Sequence, residues 1–282
     1  MEQVKSFYET PSPAGLTGIK AWLLTHDHKR LALMYLWAVF FWLVLAVFLG
    51  MALRLELMFI GETIMPPEIY NAFFTLHGVI MIFLFVIPAI PAIFGNFFLP
   101  IQIGADDVFF PRLNLFSWYL YMFGGLLAVI SLFTGDGFAD TGWTFYVPFS
   151  VTTETNVSLT VTAAFILGMS SMLTGLNFVT TVHRMRVKGM GWLQIPLFTW
   201  SIYATAWVQI LATPVVSITL VLVVLERFLN IGLFDPAKGG DPQLYQHLFW
   251  MYSHPAVYIM ILPGMGIISE IIPVFSRKAI FG

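Results

Sequence analysis

The chain has 282 residues, of which 59% are hydrophobic and only 10% are charged, and its formal net charge is −2. Soluble domains carry about 25% charged residues, so this composition excludes a soluble globule and indicates a polytopic membrane protein. The sequence contains no cysteine, which excludes disulfides, thiolate metal sites and iron–sulfur clusters. The charge balance gives no support for binding nucleic acid.

Six apolar segments are long enough to cross a bilayer as helices, since each approaches the ~20 residues that a span needs. The predicted spans are 31–53, 71–99, 114–134, 158–182, 196–225 and 247–275. Residues 1–30 form a predicted polar tail without the features of a cleavable signal, and residues 31–282 form a transmembrane domain. The predicted fold class is therefore an all-α polytopic membrane protein.

Basic residues predict the orientation of these spans. Ten of the thirteen lie on one predicted side, namely Lys5, Lys20, Lys29, Arg30, Arg112, Arg184, Arg186, Lys188, Arg277 and Lys278. Positive residues favour the cytoplasmic side, so the N-terminus and residue 282 are both predicted to be cytoplasmic.

Two histidines lie inside predicted spans, and burying an imidazole in hydrocarbon is costly. His77 lies in the second span, and His254 lies in the sixth, four residues before Tyr258, so that His254 and Tyr258 share a helix face. Counted at about 1.5 Å per residue, both histidines lie roughly 10 Å below the outer boundary. This pattern is typical of a metal or redox site, and packing through hydrogen bonds is the alternative reading.

Several polar residues suggest a route for protons. Asp106 and Asp107 lie at the inner membrane mouth, where carboxylates collect protons or remain ordinary solvated charges. Ser170 and Ser171, inside the fourth span, either hold water or bond to their own backbone. Trp143, in an outer loop, is either an interfacial residue or a lid over a cofactor edge.

Taken together, the motifs resemble one family. They are, in order, THDHKR, ALRLEL, FFTLHGVIMIF, GNFFLPIQIGADD, FPRLN, DTGWTFYVP, SSMLTGLNF, FDPAKGGDPQLYQHLFW and SHPAVYIMILPGMGIIS. Their order and spacing resemble the catalytic subunit of the haem–copper oxygen reductases, cytochrome oxidase subunit I. The resemblance covers nearly the whole chain and matches the first half of a twelve-helix core. It implies a terminal oxidase of the respiratory chain that reduces O₂ to water and pumps protons.

The resemblance implies roles for the aromatic and histidine residues. His77 resembles an axial ligand of the low-spin haem, and His254 resembles one of three copper histidines. Tyr258 resembles the tyrosine that is cross-linked to that histidine and gives an electron and a proton during O–O cleavage. Trp250 resembles the tryptophan packed beside the copper. The implied cofactors are a low-spin haem, a high-spin haem, taken to be of the a type, and copper.

Further positions match residues that bind haem or conduct protons in the family. Arg54 resembles the arginine on a low-spin haem substituent, and Trp143 resembles the tryptophan near the haem propionates. Asp107 resembles the entrance of a proton path. The other matched positions on proton paths are Asn96, Asn114, Ser170, Ser171 and Ser269.

One position departs from the commoner family pattern. Ala256 stands where many members carry the glutamate that acts as the inner proton branch point. Tyr252 and Ser253 instead match a branch of the family that uses Tyr-Ser. We therefore expect the Tyr252 hydroxyl to replace the glutamate as the proton relay.

The six spans match only half of the family core, so the remaining haem and copper ligands would have to come from a second half or a second chain. The resemblance further implies other oxidase subunits, including the one that receives electrons, a cytochrome c or quinol donor, and a bacterial cytoplasmic membrane. Two alternatives remain: a nitric oxide reductase-like relative, disfavoured by Tyr258 and Asp107, and a non-catalytic fragment or structural remnant.

Overall fold

The computed structural model describes residues 15–61, 64–134, 137 and 139–280, and these residues form helices and connecting segments without a strand. Six long helices account for most of the chain. We label them α1 (His28–Glu56), α2 (Pro67–Ile103), α3 (Pro111–Phe133), α4 (Val157–Arg184), α5 (Leu197–Leu229) and α6 (Pro242–Ser276). Each is long and apolar enough to cross a membrane. The predicted all-α class and the six spans are confirmed.

The helix ends explain why the structured spans are longer than the predicted ones. Asp27 caps α1 by accepting hydrogen bonds from the backbone N–H groups of Lys29 and Arg30, at 2.9 Å each. Pro67, Pro111 and Pro242 stand in the first turns of α2, α3 and α6, where a missing N–H costs nothing. A short helix, Gly18–Leu23, also lies within the predicted tail.

Helix α2 occupies the centre of the bundle. It contacts all five other long helices, which follow one another around it in the order α1, α3, α4, α5, α6. Two stretches of α2, Ile80–Val86 and Ala89–Gly95, are wound as π-helix near Pro88 and Pro91. A π-segment changes the direction of the side chains that follow it, and such segments are frequent at functional sites.

The interior of the bundle is partly polar. Buried residues include Asn96, Asn114, Ser117, Ser170 and Gln209, which lie among apolar residues such as Trp42 and Leu84. Helix α6 differs from the other helices because only 17% of its most apolar stretch is buried. One long face of α6 is therefore open in this part of the protein.

Candidate functional site

A backbone hydrogen bond fixes the orientation of the His77 imidazole. Its Nδ1 lies 2.8 Å from the carbonyl oxygen of Ala46 on α1. A carbonyl only accepts, so Nδ1 carries the proton and Nε2 keeps the lone pair that a metal requires. Gly50, one turn further along α1, lies against the ring, and a Cβ there would come within 2.9 Å of His77 Cε1. Helix α1 thus presents His77 as a ligand.

A groove on α1 lies beside this imidazole. Val47, Gly50, Met51 and Arg54 line it, so its walls are apolar and one cation stands at the outer end. A flat apolar macrocycle with polar or acidic substituents matches that lining. The free Nε2 of His77 and the glycine at position 50 both fit a haem at this place.

Trp143 connects the His77 region to α6. A Cβ at Gly78, the residue after His77, would lie 3.0 Å from the Trp143 side chain. On the other side, the Trp143 ring centroid lies 5.7 Å from Phe249 and 6.3 Å from Trp250. The indole therefore fills the space between α2 and α6.

The outer loop that carries Trp143 is held to both of these helices. The backbone N–H of Gly142 donates to Thr75 Oγ1 on α2 at 3.0 Å. The Tyr245 hydroxyl on α6 donates to the Thr144 carbonyl at 2.7 Å. Trp250 Nε1 donates to the hydroxyl of Tyr146. These contacts hold the residues on either side of Trp143 to α2 and α6, and they thereby fix the position of its side chain.

His254 and Tyr258 form a pair on the open face of α6. Their ring centroids lie 4.9 Å apart at 74°, as expected from the i, i+4 spacing. Both side chains are exposed, and Tyr258 is 46% accessible. In the described part of the chain, no three His, Cys, Asp or Glu side chains come together as a metal site. His254 can therefore act only as one member of a ligand set completed from elsewhere.

A carboxyl group marks the inner end of a polar path. Asp106 is exposed, whereas Asp107 is half-buried between α2 and α3 and accepts from the Val108 N–H at 2.6 Å. Burial raises the pKa of Asp107 to about 7. A group with this pKa both binds and releases protons near neutral pH.

Two asparagines are bonded to each other between α2 and α3. Asn114 Nδ2 donates to Asn96 Oδ1 at 2.6 Å, and Asn96 Nδ2 donates to the Ala92 carbonyl at 2.7 Å. His28 Nδ1 bonds to the Asn96 carbonyl at 2.7 Å. Asn114 Oδ1 has no partner among the described residues, so it remains available to accept from water.

A hydroxyl chain follows the asparagines. Ser117 donates to the Asn114 carbonyl at 2.7 Å, and its oxygen lies 3.0 Å from the Tyr35 hydroxyl. Ser170 on α4 donates to the Ser117 carbonyl at 2.6 Å. These contacts join α1, α3 and α4 through polar groups at the level of the membrane core.

The hydroxyl chain ends at an internal cavity of about 30 Å³. Ser170, Ser171, Thr174 and Gln209 contribute polar groups to its lining, and Tyr252 closes it on the α6 side. A buried water needs about 10–15 Å³, so the cavity has room for roughly two waters. The structure thus brings Tyr252 and the two α4 serines to one hydrated space.

Two of the sequence-identified residues lie apart from that cavity. Ser253 is buried on α6, and its hydroxyl has no partner among the described residues. Ser269 is half-buried on α6 and donates to the Met265 carbonyl of its own helix at 2.8 Å. The contacts within this part of the protein connect neither residue to the path from Asp107.

Sequence reasoning missed several residues of the path. Tyr35, Ser117 and Gln209 stand in apolar stretches outside the recognised motifs, and Thr174 lies within SSMLTGLNF but was not singled out. His28, at the start of α1, is also buried and bonds to the Asn96 carbonyl. The available signal was the occurrence of polar residues inside apolar spans, because such residues face the interior of the bundle.

These features define a class of protein. The chain has six helices of membrane-spanning length, a series of buried polar groups between them, and a histidine on α2 whose free nitrogen fits haem. This combination is that of an integral membrane haem oxidoreductase.

Comparison with known proteins identifies the family within that class. Residues 30–282 match the family model described as Cytochrome C and Quinol oxidase polypeptide I. Cytochrome c oxidase subunit 1 of Thermostichus vulcanus is 43% identical over 257 residues, which cover 91% of this chain and 46% of that protein. Cytochrome c oxidase subunit 1 of a Synechocystis strain is 44% identical over 257 residues, which cover 91% of this chain and 46% of that protein. A probable cytochrome c oxidase subunit 1-alpha from Streptomyces coelicolor is 42% identical over 264 residues, covering 93% of this chain and 45% of that protein.

The chain therefore belongs to the cytochrome c and quinol oxidase polypeptide I family, and it matches the N-terminal half of its members. It spans slightly less than half the length of the curated relatives that it matches. The resemblance inferred from the motifs is confirmed at the level of the family.

Proposed function

We propose that this chain forms part of the catalytic core of a respiratory terminal oxidase that reduces O₂ to water and couples the reaction to proton uptake and pumping. The observation that carries the proposal is His77, whose Nδ1 bonds to the Ala46 carbonyl and whose Nε2 is free, and whose ring lies against Gly50 in the wall of an apolar groove. The names of its relatives support the same activity.

The proposed ligand assignments follow from the site. His77 would hold a low-spin haem, with Arg54 on its outer substituent and Trp143 near its propionates. His254 would bind copper opposite a high-spin haem of the a type, with Tyr258 and Trp250 beside it. When bound, these groups supply the electron transfer and the oxygen chemistry, while the chain supplies ligation and orientation.

The open face of α6 supports completion by further polypeptide. His254 and Tyr258 lie on that face, and the matched relatives continue well beyond the region of similarity. We infer that the remaining half of the subunit, or a separate chain, packs there and supplies the other histidines. Other oxidase subunits would deliver electrons from cytochrome c or a quinol. The inner membrane of a bacterium, with a cytoplasmic N-terminus, is the proposed setting.

The polar path supports proton uptake from the inner side. Asp107 would collect the proton, and the asparagine pair and the Ser117–Ser170 contact would pass it to the cavity beside Tyr252. Such a buried route is needed because hydrocarbon excludes protons. Ser269 would belong to a second route, which rises toward Tyr258 outside these contacts.

The Tyr252 hydroxyl is proposed as the relay at the end of the path. It faces the cavity on α6, and neighbouring Ala256 has no proton to exchange. Tyr252→Phe in the complete oxidase should slow turnover and lower the number of protons pumped per electron. Tyr203→Phe, the same change at a tyrosine of α5 that does not line the cavity, is the matched control. Wild-type turnover and pumping in Tyr252→Phe would refute the relay.

The test of the whole proposal is a reduced-minus-oxidised spectrum with metal analysis on the complex purified through this chain. We expect two haems and one copper per chain and a spectral shift with carbon monoxide. A complete, correctly assembled complex that contains neither haem nor copper would contradict the proposed function.

A further inference from the structure

Arg227, near the end of α5, holds the segment that precedes α4. Its Nε donates to Ser158 Oγ at 3.0 Å, and its Nη1 donates to the carbonyls of Ser150 and Thr153 at 2.7 and 2.8 Å. Its Nη2 donates to the Thr155 carbonyl at 2.8 Å. All four acceptors are neutral, and Arg227 forms no ion pair with a described carboxylate. The positive charge of the guanidinium is therefore not compensated by an ion pair in this part of the protein.

Two hydrogen-bond donors at this point are uncommitted. A guanidinium has five N–H groups, and four of those of Arg227 are used, so one Nη2 N–H is left. The Ser158 hydroxyl accepts from Arg227 and donates to no described residue. Asp140 acts on Arg227 only from a distance, and it accepts instead from Thr155 Oγ1 at 2.9 Å. The site thus presents a cation and two donors to an acceptor that these residues do not supply.

An open space lies in front of these donors. It has a volume of about 260 Å³, and Arg227, Ser158 and Thr153 line it together with Val151 and Phe228. Phe228 is 76% exposed, so the space opens at the surface of the bundle. A ligand can therefore reach the guanidinium and the hydroxyl from outside the protein.

An apolar groove continues from this space along the seam between α4 and α5. Val224 and Leu220 precede Arg227 by three and seven residues, so all three share one face of α5. From Leu220 to Arg227 the helix rises by about 10 Å. The groove has a volume of about 230 Å³, and its lining residues are Val161, Thr162, Phe165, Leu220, Val221, Val224 and Leu225.

We propose that this seam binds one glycerophospholipid, with its phosphate at Arg227 and Ser158 and one acyl chain in the groove. Arginine is the side chain best suited to phosphate, because its planar N–H groups match the phosphate oxygens. A free phosphate ion would use the donors but not the groove, and a hydrocarbon chain would use the groove but not the donors. A phospholipid uses both.

The bound lipid would connect the membrane to the loop between α3 and α4, which also carries Trp143. The guanidinium that meets the phosphate holds three carbonyls of that loop. The lipid site does not rest on the proposed oxygen chemistry. An assembled complex without haem or copper would still bind the lipid, so the two proposals fail separately.

The first test is a cryo-electron microscopy map of the complete oxidase in phosphatidylglycerol nanodiscs. We expect chain-shaped density in the groove and headgroup density within about 3 Å of Ser158 Oγ and Arg227 Nη2. A well-resolved seam that is empty, that holds only a compact ion at Arg227, or that is filled by a protein helix would overturn the proposal.

A bulky residue in the groove gives a second test that leaves Arg227 in place. Val221→Trp should fill the groove and remove one tightly bound phosphatidylglycerol per complex, counted by native mass spectrometry of the delipidated oxidase titrated with that lipid. Ile218→Trp is the matched control, since Ile218 is 60% exposed on α5 but does not line the groove. Equal lipid counts for the two variants would contradict the site.

The headgroup contact is tested by removing a hydroxyl. Ser158→Ala should weaken phosphatidylglycerol binding at this site by about fivefold or more, because a hydrogen bond to a charged group is lost. Thr162→Val is the control, since the Thr162 hydroxyl already donates to the Ser158 carbonyl at 2.7 Å. The same affinity in both variants would refute a phosphate at Ser158.

Discussion

At the scale of single residues, small groups decide which chemistry each site can perform. The Ala46 carbonyl accepts a hydrogen bond from one nitrogen of His77 and leaves the other free for the proposed ligand role. Partial burial makes Asp107 a group that exchanges protons near neutrality, while its exposed neighbour Asp106 stays an ordinary surface carboxylate. Both residues stand out in the sequence as candidates, but their surroundings depend on neighbours far away along the chain.

The raised pKa of Asp107 predicts a pH effect on stability. The carboxyl titrates at about 7 in the folded chain and at about 3.9 when unfolded. Between these values the folded chain binds more protons, so this group's contribution makes stability fall as pH rises from about 4 to about 7. Asp107→Asn should remove that part of the slope, measured as thermal midpoint against pH. Asp106→Asn is the control, and an unchanged slope in Asp107→Asn would show that the carboxyl is not buried.

Gly50 predicts a change at the haem site. A Cβ at position 50 would approach His77 Cε1 to 2.9 Å, which is closer than real Cβ contacts come. Gly50→Ala should therefore tilt the imidazole and shift or weaken the low-spin haem band of the complete oxidase. Gly264→Ala, where the nearest atom to the added Cβ is Ile90 Cδ1 at 3.8 Å, should leave the band unchanged. A wild-type band in Gly50→Ala would argue against His77 as the ligand.

At the scale of helices, the composition and the length of the apolar runs sufficed to predict six spans, because a helix must be long and apolar to cross a bilayer. The π-segments of α2 were not predictable, since they arise where Pro88 and Pro91 interrupt hydrogen bonding inside a helix packed on five others. The path residues Tyr35 and Ser117 were missed for a related reason. Their hydroxyls come into contact only when α1 packs against α3, and no local sequence pattern predicts that contact.

The contact between α1 and α3 depends on a glycine. A Cβ at Gly125 on α3 would overlap the ring of Trp42, which is fully buried on α1. Gly125→Ala should destabilise the bundle by about 1–3 kcal/mol through overpacking, despite the better helix propensity of alanine. Gly264→Ala, which has space, should be neutral or slightly stabilising. Equal unfolding midpoints for the two variants would contradict this packing.

At the scale of the whole molecule, the uneven burial of α6 is the main feature. His254, Tyr258, Ile261 and Met265 recur at helical spacing on its open face, and Ile261 and Met265 are 53% and 56% exposed. An apolar stripe that includes an imidazole and a phenol is poorly suited to lipid. We expect further polypeptide of the oxidase to cover it.

A bulky substitution distinguishes a packed face from a lipid-facing one. Ile261→Trp should impair assembly of the complete oxidase and lower its copper content, because a larger side chain would not fit a filled interface. Leu211→Trp, at a 69% exposed position on α5, should assemble normally. Copper per haem and the yield of intact complex measure the effect. Normal values for both variants would indicate that lipid covers the Ile261 face.

The loop around Trp143 also bears on how such an enzyme is built. Its indole touches Gly78 beside His77 on one side and Trp250, one turn before His254, on the other. The contacts of Trp143 therefore set the separation between α2 and α6. These contacts lie entirely within the described residues, so the spacing of the two proposed ligands, His77 and His254, does not depend on further polypeptide at the open face of α6.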